Sequence, residues 1–188
     1  FIISKDLIQY QENILATLCV IFNYFDYEKL DKKLFLNFQI PQSRGSIINY
    51  KRGLKKLTIV DESYNSNPLS FKFAIDKFDI NYKENVKKFL LIGDMLELGE
   101  YSKKLHIKIA KYINKSKIKK VYIFGKLAKH TFNKLKPQMK GKILYNKMDI
   151  INLINKDLPN NSFLMVKGSN STGLNRIIKN LKMKNYAL

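Results

Sequence analysis

Cysteine occurs once in the 188 residues, histidine twice, arginine three times and tryptophan not at all. A single cysteine excludes a disulfide framework and fits a reducing compartment. Cys19, inside the apolar stretch "NILATLCVIF", is expected to be a packed thiol. His106 and His130 are far apart and neither stands at metal-ligand spacing with a cysteine, which argues against a zinc site. His106 falls on an expected helix, where a hydrogen-bonded structural role suits it, and no Ser-His-Asp set can be assembled. No apolar run approaches the roughly 20 residues that would span a bilayer. Internal repeats and low-complexity linkers are also missing. The chain begins "FIISKDL", with no Met and no signal-like segment, and so is taken to enter a longer sequence part-way.

Acid is the scarce charge: 15 Asp and Glu stand against 35 Lys and Arg, a formal net charge of +20. Such an excess raises the question of nucleic acid. However, the basic residues are almost all lysine, although arginine is the better bidentate partner of phosphate and guanine. The lysines are spread along the chain with abundant Asn and Ile, as a drift toward AT-rich codons would produce, and form no stripe interleaved with aromatics. Nucleic acid is therefore not an expected partner, while attraction of small anions is.

Apolar residues make up 45% of the chain, with Phe and Tyr plentiful, enough for a core. A helix is expected over 11–25, burying Leu15, Leu18, Cys19 and Phe22 at i, i+3, i+4, i+7. A second, short helix is expected over 27–36. Pro41 and Gly45 mark 37–47 as a connector, with a domain boundary near 41–48. "SIINY" and "KLTIV" are extended runs around the turn-like "KRGLK". Strands are then expected at 57–60, 89–92, 120–124, 142–145 and 163–166. Helices between and after them carry Phe71, Ala74, Ile75 and Phe78; Leu105, Ile109 and Ile113; and Leu174, Ile177, Ile178 and Leu181. Repeated strand–helix units predict an α/β fold with a doubly wound, mainly parallel sheet and right-handed crossovers.

Three strands empty into polar turns, the place where open α/β sheets put ligands. The first is "DESYNSNP" (61–68). Asn67 as helix N-cap and Pro68 in the first turn account for part of it, but not for Asp61, Glu62, Tyr64 and Asn65 sharing one crest. A carboxylate there can accept hydrogen bonds from a ribose. The second, "GDMLELGE" (93–100), places Asp94 at a strand end, with Glu100 or Ser102 as an expected helix cap. The third, "VKGSNSTG" (166–173), lacks the GxxxxGK[ST] spacing of a P-loop. Its Lys167 and Ser169 could instead bind a carboxylate near the helix start.

In order along the chain, these segments resemble the carboxyl-terminal part of the ATP-dependent muramyl ligases. That family's pattern is "D[DE]SYNANP", "GDMLELG", a helix with "ELH", then "VKGS"; the counterparts are "DESYNSNP", "GDMLELGE", "KLH" (104–106) and "VKGS" (166–169). The resemblance implies a Rossmann-like carboxyl-terminal ligase domain over 46–188, preceded by the helical end of a central ATPase domain over 1–45. It implies ATP and Mg²⁺ as cofactors, with the Mg²⁺ ligands outside this chain, and no catalytic residue within it. Nucleotide contacts fall on Asn13, from the family's "NxLA" helix, on Arg44, from its "GRG" linker, and on Glu62. Substrate contacts fall on Tyr64, Asn65, Asn67, Asp94, Lys167 and Ser169. The implied substrates are UDP-N-acetylmuramoyl-tripeptide and D-alanyl-D-alanine, joined by a cytoplasmic monomer. Two departures from the pattern bear on the nucleotide contacts: Gln9 replaces a His before Asn13, and Ser43 replaces the Gly before Arg44. A sister ligase with another amino acid, or a stand-alone nucleotide- or peptide-binding module, is the alternative.

Overall fold

The computed structural model describes residues 1–38, 42–81 and 86–185. They divide into two compact units, Phe1–Pro41 and Gln42–Leu188.

In the first unit, a 3-10 segment Lys5–Tyr10 runs into helix α1, Gln11–Ile21. Its small core is Leu7, Leu18 and Phe35, with Phe1, Ile3, Tyr10 and Ile14 packed against it. The buried stripe of α1 is thus Ile14 and Leu18, one position round from the expected face. Leu15 (60% exposed) and Phe22 (43% exposed) lie outside it, and Cys19 is exposed rather than packed. The helix expected over 27–36 is a single 3-10 turn, Tyr27–Lys29. The Asp31 carboxylate accepts from Lys33 N–H at 2.8 Å, a local bond that competes with helix continuation. Of the connector, residues 39–41 lie outside the described residues.

The second unit holds one six-stranded sheet. Its strands are β1 (Ser46–Arg52), β2 (Lys55–Glu62), β3 (Lys88–Gly93), β4 (Lys120–Phe124), β5 (Lys140–Leu144) and β6 (Ser162–Lys167). The order is β1-β2-β6-β3-β4-β5. β1 and β2 form the antiparallel hairpin that the "KRGLK" turn predicts, and every other pairing is parallel. Helices α2 (Pro68–Asn81), α3 (Ser102–Ile113), α4 (Ala128–Asn133), α5 (Lys147–Asn152) and α6 (Leu174–Asn185) complete the alternation.

Both faces of the sheet are covered because the strands alternate two apolar sets. Leu57, Ile59, Phe89, Leu91, Leu164 and Val166 point to one side, with Ile150 of α5 and Leu174, Ile178 and Leu181 of α6. Val60, Leu90, Ile92 and Met165 point to the other, with Phe71, Ile75 and Phe78 of α2 and Ile109 and Ile113 of α3. A strand buried on both faces is continuously apolar, as "KFLLIG" of β3 shows by being buried at every position. The expected α/β class is therefore the observed one.

Helices α4 and α5 are too short for a periodic signal, though α5 begins with a capping box between Asn146 and Asp149. After α5 the chain makes a five-residue π-helical turn, Leu153–Asp157. Among the described residues, no helix is long and apolar enough to cross a membrane.

Candidate functional site

Because β6 inserts between β2 and β3, the three polar crests end up side by side, with "VKGS" in the middle. Two sets of hydrogen bonds lock them together. Lys167 Nζ donates to the Asn65 carbonyl at 3.0 Å, tying the third crest to the first. Ser169 N–H donates to the Asp94 carbonyl at 3.0 Å, and Leu96 N–H donates to Ser169 Oγ at 2.9 Å, tying the third to the second.

In the first crest the two acids have separate tasks. Asp61 is buried and accepts from Ser43 Oγ at 2.7 Å and from the backbone and hydroxyl of Ser63. Its carbonyl accepts from Gly45 N–H at 2.8 Å, and Tyr64 N–H donates to the Ser43 carbonyl at 3.1 Å. Asp61 thereby fastens the Ser43-Arg44-Gly45 turn to the crest. Ser43 and Gly45 both have positive φ, +62° and +94°, so a Gly is the unstrained residue at either place. Ser43 occupies its left-handed conformation with its hydroxyl anchored on Asp61, a physical compensation for the departure from the family pattern.

That turn carries Arg44, whose guanidinium lies over the Tyr64 ring, 4.3 Å from the centroid. Both side chains are exposed and pre-oriented by this stacking. Glu62 lies beneath the same turn, so that a Cβ built on Gly45 would come 3.1 Å from Glu62 Oε1. Glu62 is paired in register with Lys167 across β2 and β6. Burial pushes the Glu62 carboxyl above its ordinary range, while Lys167, Lys77 and Arg44 draw it back. Burial likewise draws the Lys167 ammonium down, against the pull of Glu62. One carboxylate among three cations makes an edge that is anion-receptive yet holds a strong hydrogen-bond acceptor.

Several residues expected to touch substrate are engaged within the chain. Asn67 caps α2: Ser70 N–H donates to Asn67 Oδ1 at 2.8 Å, and Asn67 N–H donates to Ser70 Oγ at 3.1 Å. Asp94 Oδ1 accepts from Ala128 N–H at 2.7 Å at the start of α4. Ser169 holds the second crest, as described. Asn65 accepts from Ser66 N–H through its side chain. In the second crest the caps expected from Glu100 or Ser102 are not made: α3 is entered through a 3-10 turn, Gly99–Tyr101, and Tyr101 at its N-cap forms no side-chain cap bond.

His106 proves to be the organiser of this crest. Its Nδ1 faces the Ser102 carbonyl at 2.8 Å, and Met95 N–H donates to Nε2 at 3.0 Å. Those partners fix the neutral tautomer with hydrogen on Nδ1. The structural role expected of this histidine is thus the one it has. Sequence reasoning missed Lys77, which is inconspicuous in so lysine-rich a chain, and the tether of Asp61 to Ser43. Asn13 lies exposed on α1, in the first unit, where its carbonyl accepts from Thr17 Oγ1 at 2.8 Å.

The profile of the family described as Mur ligase, glutamate ligase domain, matches residues 46–170. Among solved structures, a MurF ligase from Thermotoga maritima in complex with ADP is 22% identical, with a TM-score of 0.68, over 93% of this chain and 38% of that one. A MurF from Acinetobacter baumannii is 21% identical, with a TM-score of 0.66, over 89% of this chain and 36% of that one. The UDP-N-acetylmuramate-alanine ligase MurC from Thermotoga maritima is 15% identical, with a TM-score of 0.60, over 92% and 38%. At these identities the likeness is one of fold, and the chain spans less than two fifths of the length of each of these structures. No curated protein sequence matches it. Because the family profile covers more than half of its residues, the chain belongs to the Mur ligase, glutamate ligase domain family.

Proposed function

We propose that this chain is the carboxyl-terminal part of a MurF-like, ATP-dependent ligase of peptidoglycan precursor synthesis. Residues 1–45 would close the central ATP-binding domain and residues 46–188 form the ligase domain. The reaction joins D-alanyl-D-alanine to UDP-N-acetylmuramoyl-tripeptide in the cytoplasm, on a monomeric enzyme. In that chemistry ATP passes its terminal phosphoryl group to the tripeptide carboxylate, giving an acyl phosphate and ADP. The dipeptide amine attacks the acyl carbon, phosphate departs, and the amide remains after loss of the amine proton. Rate in such a transfer comes from positioning and electrostatics.

The observation that carries this reading is the Arg44–Tyr64–Glu62 edge, set on a fixed linker turn beside the three crests. Glu62 is oriented to accept from ribose hydroxyls, and Arg44 to face phosphate oxygens. Asn13 is the adenine contact in the same scheme. Tyr64 and Asn65, both exposed, are the dipeptide contacts in the same scheme. Lys167, Asn67, Asp94 and Ser169 act chiefly by holding the crests in place. Among the described residues no group of three His, Cys, Asp or Glu could hold a metal ion; in this reading the Mg²⁺ ligands lie outside this chain. The chain has no GxxxxGK[ST] segment, so the isolated chain is expected to be inactive.

The test is ATP-dependent condensation of D-alanyl-D-alanine with UDP-N-acetylmuramoyl-tripeptide by a longer protein carrying this chain, read as phosphate release and product mass. Product from the dipeptide supports the reading. Product from single amino acids only moves the assignment to a sister ligase, and no product from either leaves a binding module.

A further inference from the structure

At the amino ends of the strands, away from the crests, a groove of about 490 Å³ opens between the β1–β2 hairpin and the α5 segment. Lys55 begins β2 and Glu62 ends it, so the groove and the crest site are roughly 20 Å apart at the rise of an extended strand. Its volume lies within the range of roughly 300–1,000 Å³ found for small-molecule sites. Arg52, Lys55 and Lys156 supply three cations to the lining, and no acid is part of it. Met148 and Ile151 supply an apolar floor.

Two of the three cations lining this groove are left over by the fold. Among the described residues, neither Arg52 nor Lys156 has an acidic partner. The neighbouring acid, Asp157, is paired with Lys142 at 2.8 Å. Lys55 donates to the Leu158 carbonyl, which fixes its ammonium at the rim. Asn155 accepts from the hydroxyl of buried Tyr50 at 2.6 Å. That bond orients its amide, whose nitrogen donates to no described residue. Asn155 and Lys156 also lie in the π-helical turn Leu153–Asp157, a departure from regular helix that recurs at functional positions.

We propose that this groove binds a small organophosphate, with Arg52, Lys156 and the Asn155 amide on the phosphate and Met148 and Ile151 against its apolar body. Guanidinium and ammonium together neutralise a phosphate dianion, and the amide adds a directed hydrogen bond. The apolar floor distinguishes an organic phosphate from the free ion.

The chain itself, labelled with ¹⁵N, is titrated with phenyl phosphate and, separately, with inorganic phosphate, and amide shifts are followed. Saturable one-site shifts confined to residues 52–55 and 148–156 are expected, with phenyl phosphate binding about fivefold more tightly, as one apolar contact surface contributes. An Arg52→Glu/Lys156→Glu variant should weaken phenyl phosphate by about tenfold or more, the scale of a lost charge-assisted contact. A Lys108→Glu/Lys119→Glu variant, with the same charge change elsewhere on the surface, should bind as the parent does. If the first variant proves unfolded by circular dichroism, Lys156→Gln replaces it, with about threefold weakening expected for a neutralised contact. Shifts scattered over the basic surface, equal weakening by both double variants, or no preference for phenyl phosphate overturns the proposal. Shifts at residues 44 and 62–67 would report the crest site, so the two proposals fail separately.

Discussion

Replacing His106 with Leu removes the one acceptor that the buried Met95 N–H uses while nearly preserving side-chain volume. A buried N–H left without a partner costs about 1–3 kcal/mol, and loss of the ring–carbonyl bond to Ser102 adds about 1 kcal/mol. The variant should therefore be destabilised by about 3 kcal/mol near neutral pH, measured by urea unfolding followed by far-UV circular dichroism. The pH dependence is the sharper part. Burial holds the His106 imidazole below its ordinary value of 6.5, opposed by its bond to Ser102 and by the charge of Asp94. A depressed folded pKa means that the unfolded chain takes up the proton first. The stability His106 contributes is then fully present above pH 6.5 and is lost as pH falls through the folded value. His106→Leu has no such loss, so the gap between parent and variant should shrink from pH 7.5 to pH 5.5. Other groups titrate in both proteins and cancel in the difference. A gap that stays constant or widens on acidification, or one below about 0.5 kcal/mol, would show that Nε2 does not hold the Met95 amide.

Substitutions at four further positions probe the crests and the residues that touch them. A Cβ on Gly125, at φ +139°, would come 2.2 Å from Asp94 Oδ1; Gly125→Ala should cost about 2–4 kcal/mol from backbone strain and the displaced bond to Ala128. In combination with Asp94→Ala its cost should be less than additive, which a double-mutant cycle checks. Ser43→Ala loses the hydroxyl bond to Asp61 and keeps the strained φ, while Ser43→Gly loses the bond and relieves the strain, so thermal melts should place Gly above Ala by about 1 kcal/mol. Among the described residues Ser66 Oγ is the one buried side-chain polar atom without a partner. Ser66→Ala, which restores the alanine of the family pattern, should stabilise by about 1 kcal/mol in urea titration.

The strands and their crests were legible because each combines an apolar run with turn chemistry inside a window of about ten residues. "KFLLIG" and "FLMVK" could hardly be anything but buried strands. What no window could show was that β6 inserts between β2 and β3 and so puts Lys167 beside Glu62, since that pairing joins residues about a hundred positions apart. The same limit applies to Asp94, whose carboxylate serves Ala128 at the start of a helix too short to announce itself. Ser43 looked like a loss of the linker glycine, and only the bond to Asp61 explains how a serine stands there. In α1 the pattern around Leu18 was right and its phase was wrong, because so small a core takes Ile14 rather than Leu15 and Cys19. Two equally apolar faces leave a helix undetermined by periodicity alone.

In the proposed function, the crest edge at Arg44 and Glu62 holds the nucleotide of an ATP-dependent ligase. The most direct test of this is the KM for ATP of a longer, active protein carrying this chain, compared with its Glu62→Gln variant. Gln keeps the size and one acceptor but removes the charge that strengthens hydrogen bonds from ribose, so KM for ATP should rise about tenfold. KM for D-alanyl-D-alanine should stay close to the parent's, while the melting temperature should fall, because Gln no longer offsets the buried Lys167 ammonium. An unchanged KM for ATP in a folded variant would contradict the account and leave Glu62 as a buried partner of Lys167 alone.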